Sequence, residues 1–128
     1  GIILNSNYLV QHIFHGLSKN SIGDYGFSHM IRNYSAVTGA CILRKKKILD
    51  ELNGFDLRFG IDFNDIDFCL RAGMKGYRIV YTPYSELFHF EQSTLKRIDQ
   101  KSEEKELFIS LWKPVIESDP FFNKNLTG

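Results

Sequence analysis

No stretch of the chain approaches the roughly 18 consecutive apolar residues that a membrane-spanning helix needs. The opening "GIILNSN" does not read as a secretory leader. An excess of one charge is missing too. The net charge is +1, so no long-range field points to nucleic acid or to an acidic partner. The one basic run, Arg44 to Lys47, is short and reads as a solvated helix start. No basic stripe of the kind that tracks DNA or RNA is present. Cysteine is scarce: Cys41 and Cys69 are the two. Each lies in an apolar run ("TGACIL", "DFCLRA") with no second cysteine or histidine at metal spacing. They are expected to be buried free thiols, which predicts a reducing compartment. Internal repeats and low-complexity tracts are absent as well.

What the chain does have is apolar and aromatic material. Its 128 residues are 43% hydrophobic and 14% aromatic, enough for one packed domain and too much for disorder. It opens without a methionine, which predicts a piece of a longer protein.

Along the chain, "GIILNSNYLVQHIFHGLS" reads as two short strands or a strand and a loop. "KNSIGDYGFSHMIRN" is loop-like. "YSAVTGACILRK" predicts a buried strand broken at Gly39. A glycine inside a strand often marks a close approach of another group to the backbone. "KKKILDELNG" predicts a short helix with Ile48, Leu49 and Leu52 inward and Gly54 as its stop. "FDLRFGIDF" reads as a loop. Asn64 is expected to cap a second helix, with Ile66, Cys69, Leu70, Gly73 and Met74 on one face and Gly76 at its end. "YRIVYTP" predicts a strand ending at Pro83, and "SELFHFEQS" another short one. "RIDQKSEEKELFISLW" is a charged amphipathic helix carrying Ile98, Leu107, Phe108, Leu111 and Trp112, and "DPFFNKNLTG" a turn-rich tail. The whole predicts an α/β fold: a small mixed sheet with helices packed on it.

Chemistry concentrates in "GFDLRFGIDFNDIDFCLRAG", where Asp56, Asp62, Asp65 and Asp67 stand among phenylalanines. Carboxylates in such company are costly unless paired, hydrated or used. A calcium loop does not fit: its sixth position, which needs glycine, would be Asp67, and its twelfth would be Gly73. Asp65 and Asp67 cannot share a proton, because two positions on a helix rotate by about 200°. Asp67 precedes Arg71 by four residues, the order that favours a helical ion pair. Asp65 has no such partner. In a first helical turn the dipole stabilises an anion, so both a plain helix-start acid and a general base fit it.

At these residues the sequence resembles a known family. "AVTGACILRKK" and "LNGFDLRFGIDFNDIDFCLRAGMKGYRIVYTPYSELFHFEQST" are similar to the C-terminal half of family 2 nucleotide-sugar glycosyltransferases, inverting enzymes of the GT-A type. "VQHIFHG" near the start, and Trp112 followed by "DPFFNKNLT", resemble bacterial members that build O-antigen and related polysaccharides. The family's helix-opening acidic motif, often Glu-Asp, carries the catalytic base on its aspartate. Here it reads Asn64-Asp65, so the resemblance implies that Asp65 is the base. It implies that "VTGA", with Thr38, Gly39 and Ala40, lines the sugar and acceptor side, and that Asn64 and Asp67 stand near the substrate. His89 aligns with a position that can help hold a divalent metal, although a lone histidine among Leu87, Phe88 and Phe90 is more often a packing residue. Glu91 and Ser93 fall in the matching loop.

The same resemblance implies a nucleotide-diphosphate sugar donor, a saccharide or lipid-linked saccharide acceptor, and Mg2+ or Mn2+ in the intact enzyme. It implies a cytoplasmic place, with attachment at the inner face of the cell membrane left open. The family's N-terminal nucleotide-binding half, ending in an Asp-x-Asp-like motif, is not among these 128 residues. Residues 1–128 are therefore expected to be one domain, the acceptor-side, base-carrying portion. Alone it is expected to transfer no sugar and to self-associate through uncovered edges and apolar faces. A carbohydrate-binding or scaffolding module that kept the fold and lost catalysis is the rival reading.

Overall fold

The structure is a computed structural model, and it describes residues 1–7, 9–60, 62–88 and 102–123. The chain starts with an antiparallel pair, β1 (Ile2–Asn5) and β2 (Leu9–His12), in register Ile2↔His12 through Asn5↔Leu9. All of β1 is buried. On its other side Ile2 exchanges backbone hydrogen bonds with Ala36 (2.8 and 3.2 Å). A second antiparallel pair joins β3 (Arg32–Asn33) to β4 (Val80–Tyr81). The expected small sheet with packed helices thus takes the form of two short antiparallel pairs.

Three helices complete the described chain: α1 (Lys46–Glu51), α2 (Asn64–Met74) and α3 (Ser102–Glu117). The α1 helix ends at Gly54, whose N–H bonds Leu49 O at 2.8 Å with φ 75°. The α2 helix ends at Gly76, φ 85°, with Tyr77 N bonding Ala72 O. Both turns need the left-handed backbone that glycine takes without steric cost.

The α2 helix lies at the centre and buries two sides. Ile66, Cys69 and Leu70 join Ile2, Leu4, Ala36, Phe59, Phe108 and Ile116 in the main core. Phe68 and Ala72 pack with Leu52 of the α1 end and with half-buried Ile48, Leu49 and Tyr77. The single apolar face expected for α2 is therefore too narrow. Phe68 and Ala72 are buried, while Gly73 is exposed and Met74 is 76% exposed.

Other expectations shift on contact with the fold. The strand expected across "YSAVTGACILRK" is buried only at Tyr34–Ala36. Beyond it the chain leaves the interior as a 3-10 turn, Gly39–Cys41, with Thr38 to Cys41 exposed. Cys41 is accordingly exposed, not buried, whereas Cys69 is buried as expected. The "YRIVYTP" strand shortens to Val80–Tyr81, and Ser85 to Phe88 form no strand. The charged helix runs on through Pro114 to Glu117, burying Phe108 and Ile116 while Leu111 stays 41% exposed. Ile98, His89, Glu91 and Ser93 lie outside the described residues.

The basic run is solvated at Lys45 to Lys47, but Arg44 is half-buried. Its guanidinium stands 5.2 Å and 5.4 Å from the ring centres of Phe55 and Phe68. Contact with an aromatic face favours a planar cation.

Candidate functional site

The aspartates separate by partner. Asp56 takes a bidentate bond from Arg58 (Nη2 to Oδ2 2.6 Å, Nε to Oδ1 3.0 Å). These side-chain bonds, with the Arg58 backbone N–H, hold the Asp56 carboxyl down at about 2. Asp67 is 1% exposed. Arg71 Nε donates to its Oδ2 at 2.7 Å and Trp112 Nε1 to its Oδ1 at 3.1 Å. Arg71 in turn donates to Leu52 O (2.7 Å) and Gly54 O (3.0 Å). This network ties α2 to the end of α1 and to α3. The expected Asp67–Arg71 pair is present, and with Trp112 it holds the Asp67 side chain in the interior.

Asp65 differs. It is half-buried, and among the described residues no cation pairs with it. Its oxygens accept from two backbone groups: Gly39 N to Oδ2 at 2.6 Å and Ile66 N to Oδ1 at 2.8 Å. A carboxylate can take about four such bonds, so acceptor capacity remains on both oxygens. The segments "TGA" and "ND", 26 residues apart, thus meet at this side chain, beneath the exposed turn Thr38–Cys41. Its negative charge also reaches Cys69. Burial first, and that charge after it, push the Cys69 thiol up to about 11.

The helix start is built differently from the expected Asn64 cap. Asn64 is the first helical residue, and Phe63 occupies the cap position with φ 65° and no side-chain cap bond. Asn64 Nδ2 only reaches Gly60 O at 3.5 Å. A left-handed phenylalanine is a strained outlier. Its ring stacks on Phe108 at 4.6 Å and meets Phe59 edge-on at 6.4 Å, which offsets that strain. Thr38 caps the exposed turn, its Oγ1 accepting from Ala40 N at 3.4 Å. The structure therefore joins Gly39 to Asp65, with Thr38 and Ala40 beside Gly39 in the turn and Asn64 next to Asp65 on α2, and sends Asp67 inward.

Among the described residues, clefts lie elsewhere. One of about 540 Å³ is lined by Arg32 and Ser118 to Asn123. One of about 340 Å³ lies between Ser6, Asn7 and Leu9 on one side and α3 on the other. One of about 300 Å³, largely apolar, is lined by Tyr34, Leu70, Ile79 and Phe121 among others. Asp65 lines none of these.

The structural roles of two residues carried no sequence signal. Asp119 is buried in the tail. It accepts from Leu4 N (2.6 Å), Ser35 Oγ (2.6 Å) and Phe121 N (2.8 Å). Trp112 was expected on an apolar face, but its N–H role toward Asp67 depends on a partner 45 residues away.

Residues 2–103 match the model described as glycosyl transferase family group 2. The chain belongs to that family. Its relatives agree. It is 27% identical to the O-antigen biosynthesis protein RfbC of Myxococcus xanthus over 99% of this chain and 10% of that protein. It is 35% identical to the uncharacterized protein y4gI of Sinorhizobium fredii over 74% of this chain and 11% of that one. Against the N-acetylglucosaminyl-diphospho-decaprenol L-rhamnosyltransferase of Mycobacterium tuberculosis it is 30% identical over 48% of this chain and 20% of the other. The chain thus spans a tenth to a fifth of the length of these relatives. No solved structure matches it significantly.

Glycosyltransferases of this family generally depend on a divalent metal. Among the described residues no three His, Cys, Asp or Glu side chains converge to hold one. Among the described residues no helix is long and apolar enough to cross a membrane.

Proposed function

We propose that this chain is the acceptor-side, base-carrying part of a longer enzyme. That enzyme moves a sugar from a nucleotide-diphosphate donor to a saccharide or lipid-linked saccharide, with inversion, in bacterial surface polysaccharide assembly. Asp65 accepts the proton of an acceptor hydroxyl. The freed oxygen attacks the anomeric carbon, and the bond from that carbon to the diphosphate oxygen breaks, the electron pair leaving with the nucleoside diphosphate. Thr38, Ala40 and Asn64 border the place where the sugars meet, and holding them in line supplies much of the rate. Mg2+ or Mn2+, with His89 as a candidate ligand, belongs to the same proposal, as does a cytoplasmic place at the inner membrane face.

The observation that carries this reading is the contrast between the acids. Asp56 and Asp67 are held by arginines, while Asp65 is held by backbone N–H groups under an exposed turn. The relative named as an L-rhamnosyltransferase makes L-rhamnose a first candidate sugar. The test is to incubate the longer enzyme with a panel of uridine, thymidine and guanosine diphosphate sugars and lipid-diphosphate-linked amino-sugar acceptors. A disaccharide whose new bond has the anomeric configuration opposite to the donor's is expected. A product of retained configuration, or no transfer from any donor, contradicts the proposal.

Self-association of the chain is proposed as well. Leu43, Leu57 and Phe88 are 100%, 95% and 91% exposed, and they are the apolar side chains such a contact would cover. A monodisperse monomer in light scattering would contradict it.

A further inference from the structure

We propose that Gly39 is a positioning residue for Asp65, an inference that rests on reading Asp65 as the base. The Gly39 N–H donates to Asp65 Oδ2 at 2.6 Å, and the Ile66 N–H to Oδ1 at 2.8 Å. Two donors from two separate chain segments fix both the position and the plane of the carboxylate. One alone would leave it free to rotate about its last bond. The turn that carries the Gly39 N–H is itself held, since Thr38 Oγ1 accepts from Ala40 N at 3.4 Å. The carboxylate is thereby oriented before any acceptor arrives, and the lone pairs left over are what a hydroxyl would meet.

The glycine is favoured by space, not by backbone freedom. Gly39 is not among the residues with positive φ. A Cβ at this position would stand 3.1 Å from Asp65 Cβ and 3.4 Å from Oδ2. The contact is tight against the very side chain that must be placed, so any side chain here displaces the carboxylate or stretches its bond. Sugar contact alone would not demand a glycine that faces an acid.

The test has two arms. In the chain itself, the Gly39 amide proton is followed by NMR. Its resonance is expected downfield, as a bond to a carboxylate places it, and is expected to move upfield in Asp65→Ala. A Gly39 amide indifferent to Asp65 overturns the proposal. In the longer enzyme, assayed with a donor and acceptor from the panel above, Gly39→Ala is expected to lower kcat roughly 10- to 100-fold, as sub-ångström misplacement of a reacting group does. Donor KM is expected to stay within about twofold, since the ground-state donor contacts are untouched. Unchanged kcat overturns the proposal. Asp65→Asn is measured beside it. If Asp65→Asn is inactive and Gly39→Ala fully active, positioning by Gly39 fails and the base stands. If Asp65→Asn turns over normally, or the wild type transfers nothing, the base reading falls and this inference falls with it.

Discussion

Asp67 and Asp65 are two residues apart in sequence and opposite in physical situation. Asp67 is buried with Arg71 and Trp112 on its two oxygens. Removing one partner of a buried pair leaves an uncompensated charge, at a cost of roughly 3–5 kcal/mol. Asp67→Ala is therefore expected to lower the urea midpoint by that much stability with an unchanged slope; a loss below about 1 kcal/mol would show that the pair is incidental. Half of this was legible in the sequence, because the four-residue step from Asp67 to Arg71 is a helical contact. The carbonyls of Leu52 and Gly54, which take the rest of the Arg71 guanidinium, were not. They are brought there by packing, which no local spacing encodes.

Helix existence was readable from apolar spacing; the ends and the exits from the core were not. The α2 helix was expected over the right residues, yet its start is set by a left-handed Phe63 stacked on Phe108 of α3. Tertiary packing there overrides the preference for a polar cap at Asn64. The turn at Gly39–Cys41 shows the same limit. An apolar run such as "TGACIL" cannot by itself distinguish a buried strand from a segment that leaves the core, and here it leaves. The consequence is chemical. Cys41 is exposed and Cys69 is buried with its thiol pushed up to about 11, so their reactivities should part. In the native chain one thiol, Cys41, is expected to react promptly with a disulfide reagent, and Cys69 only after denaturation. Two fast thiols, or a fast one that survives Cys41→Ser, would contradict this arrangement.

At the scale of the molecule, the α/β class and the family were legible from the central block, because its acids, glycines and apolar positions come in fixed order. The closure of the chain was not. Asp119 bonds Leu4 across 115 residues and Ser35 across 84, tying the tail to the first strand. A lone acid in a turn-rich tail carries no periodicity that could announce such partners. These long ties hold β1 and α3 against α2, and α2 in turn presents Asp65 to the turn at Gly39. The chain spans only a tenth to a fifth of the length of its relatives, so the role proposed for Asp65 is tested in the longer enzyme proposed above. The most direct measurement is the transfer rate of Asp65→Asn in that enzyme at saturating donor and acceptor, with donor affinity measured beside it by calorimetry. A fall of roughly 10²- to 10⁴-fold with donor affinity retained is the expected result for a lost general base. Transfer within a few-fold of the wild type would contradict it.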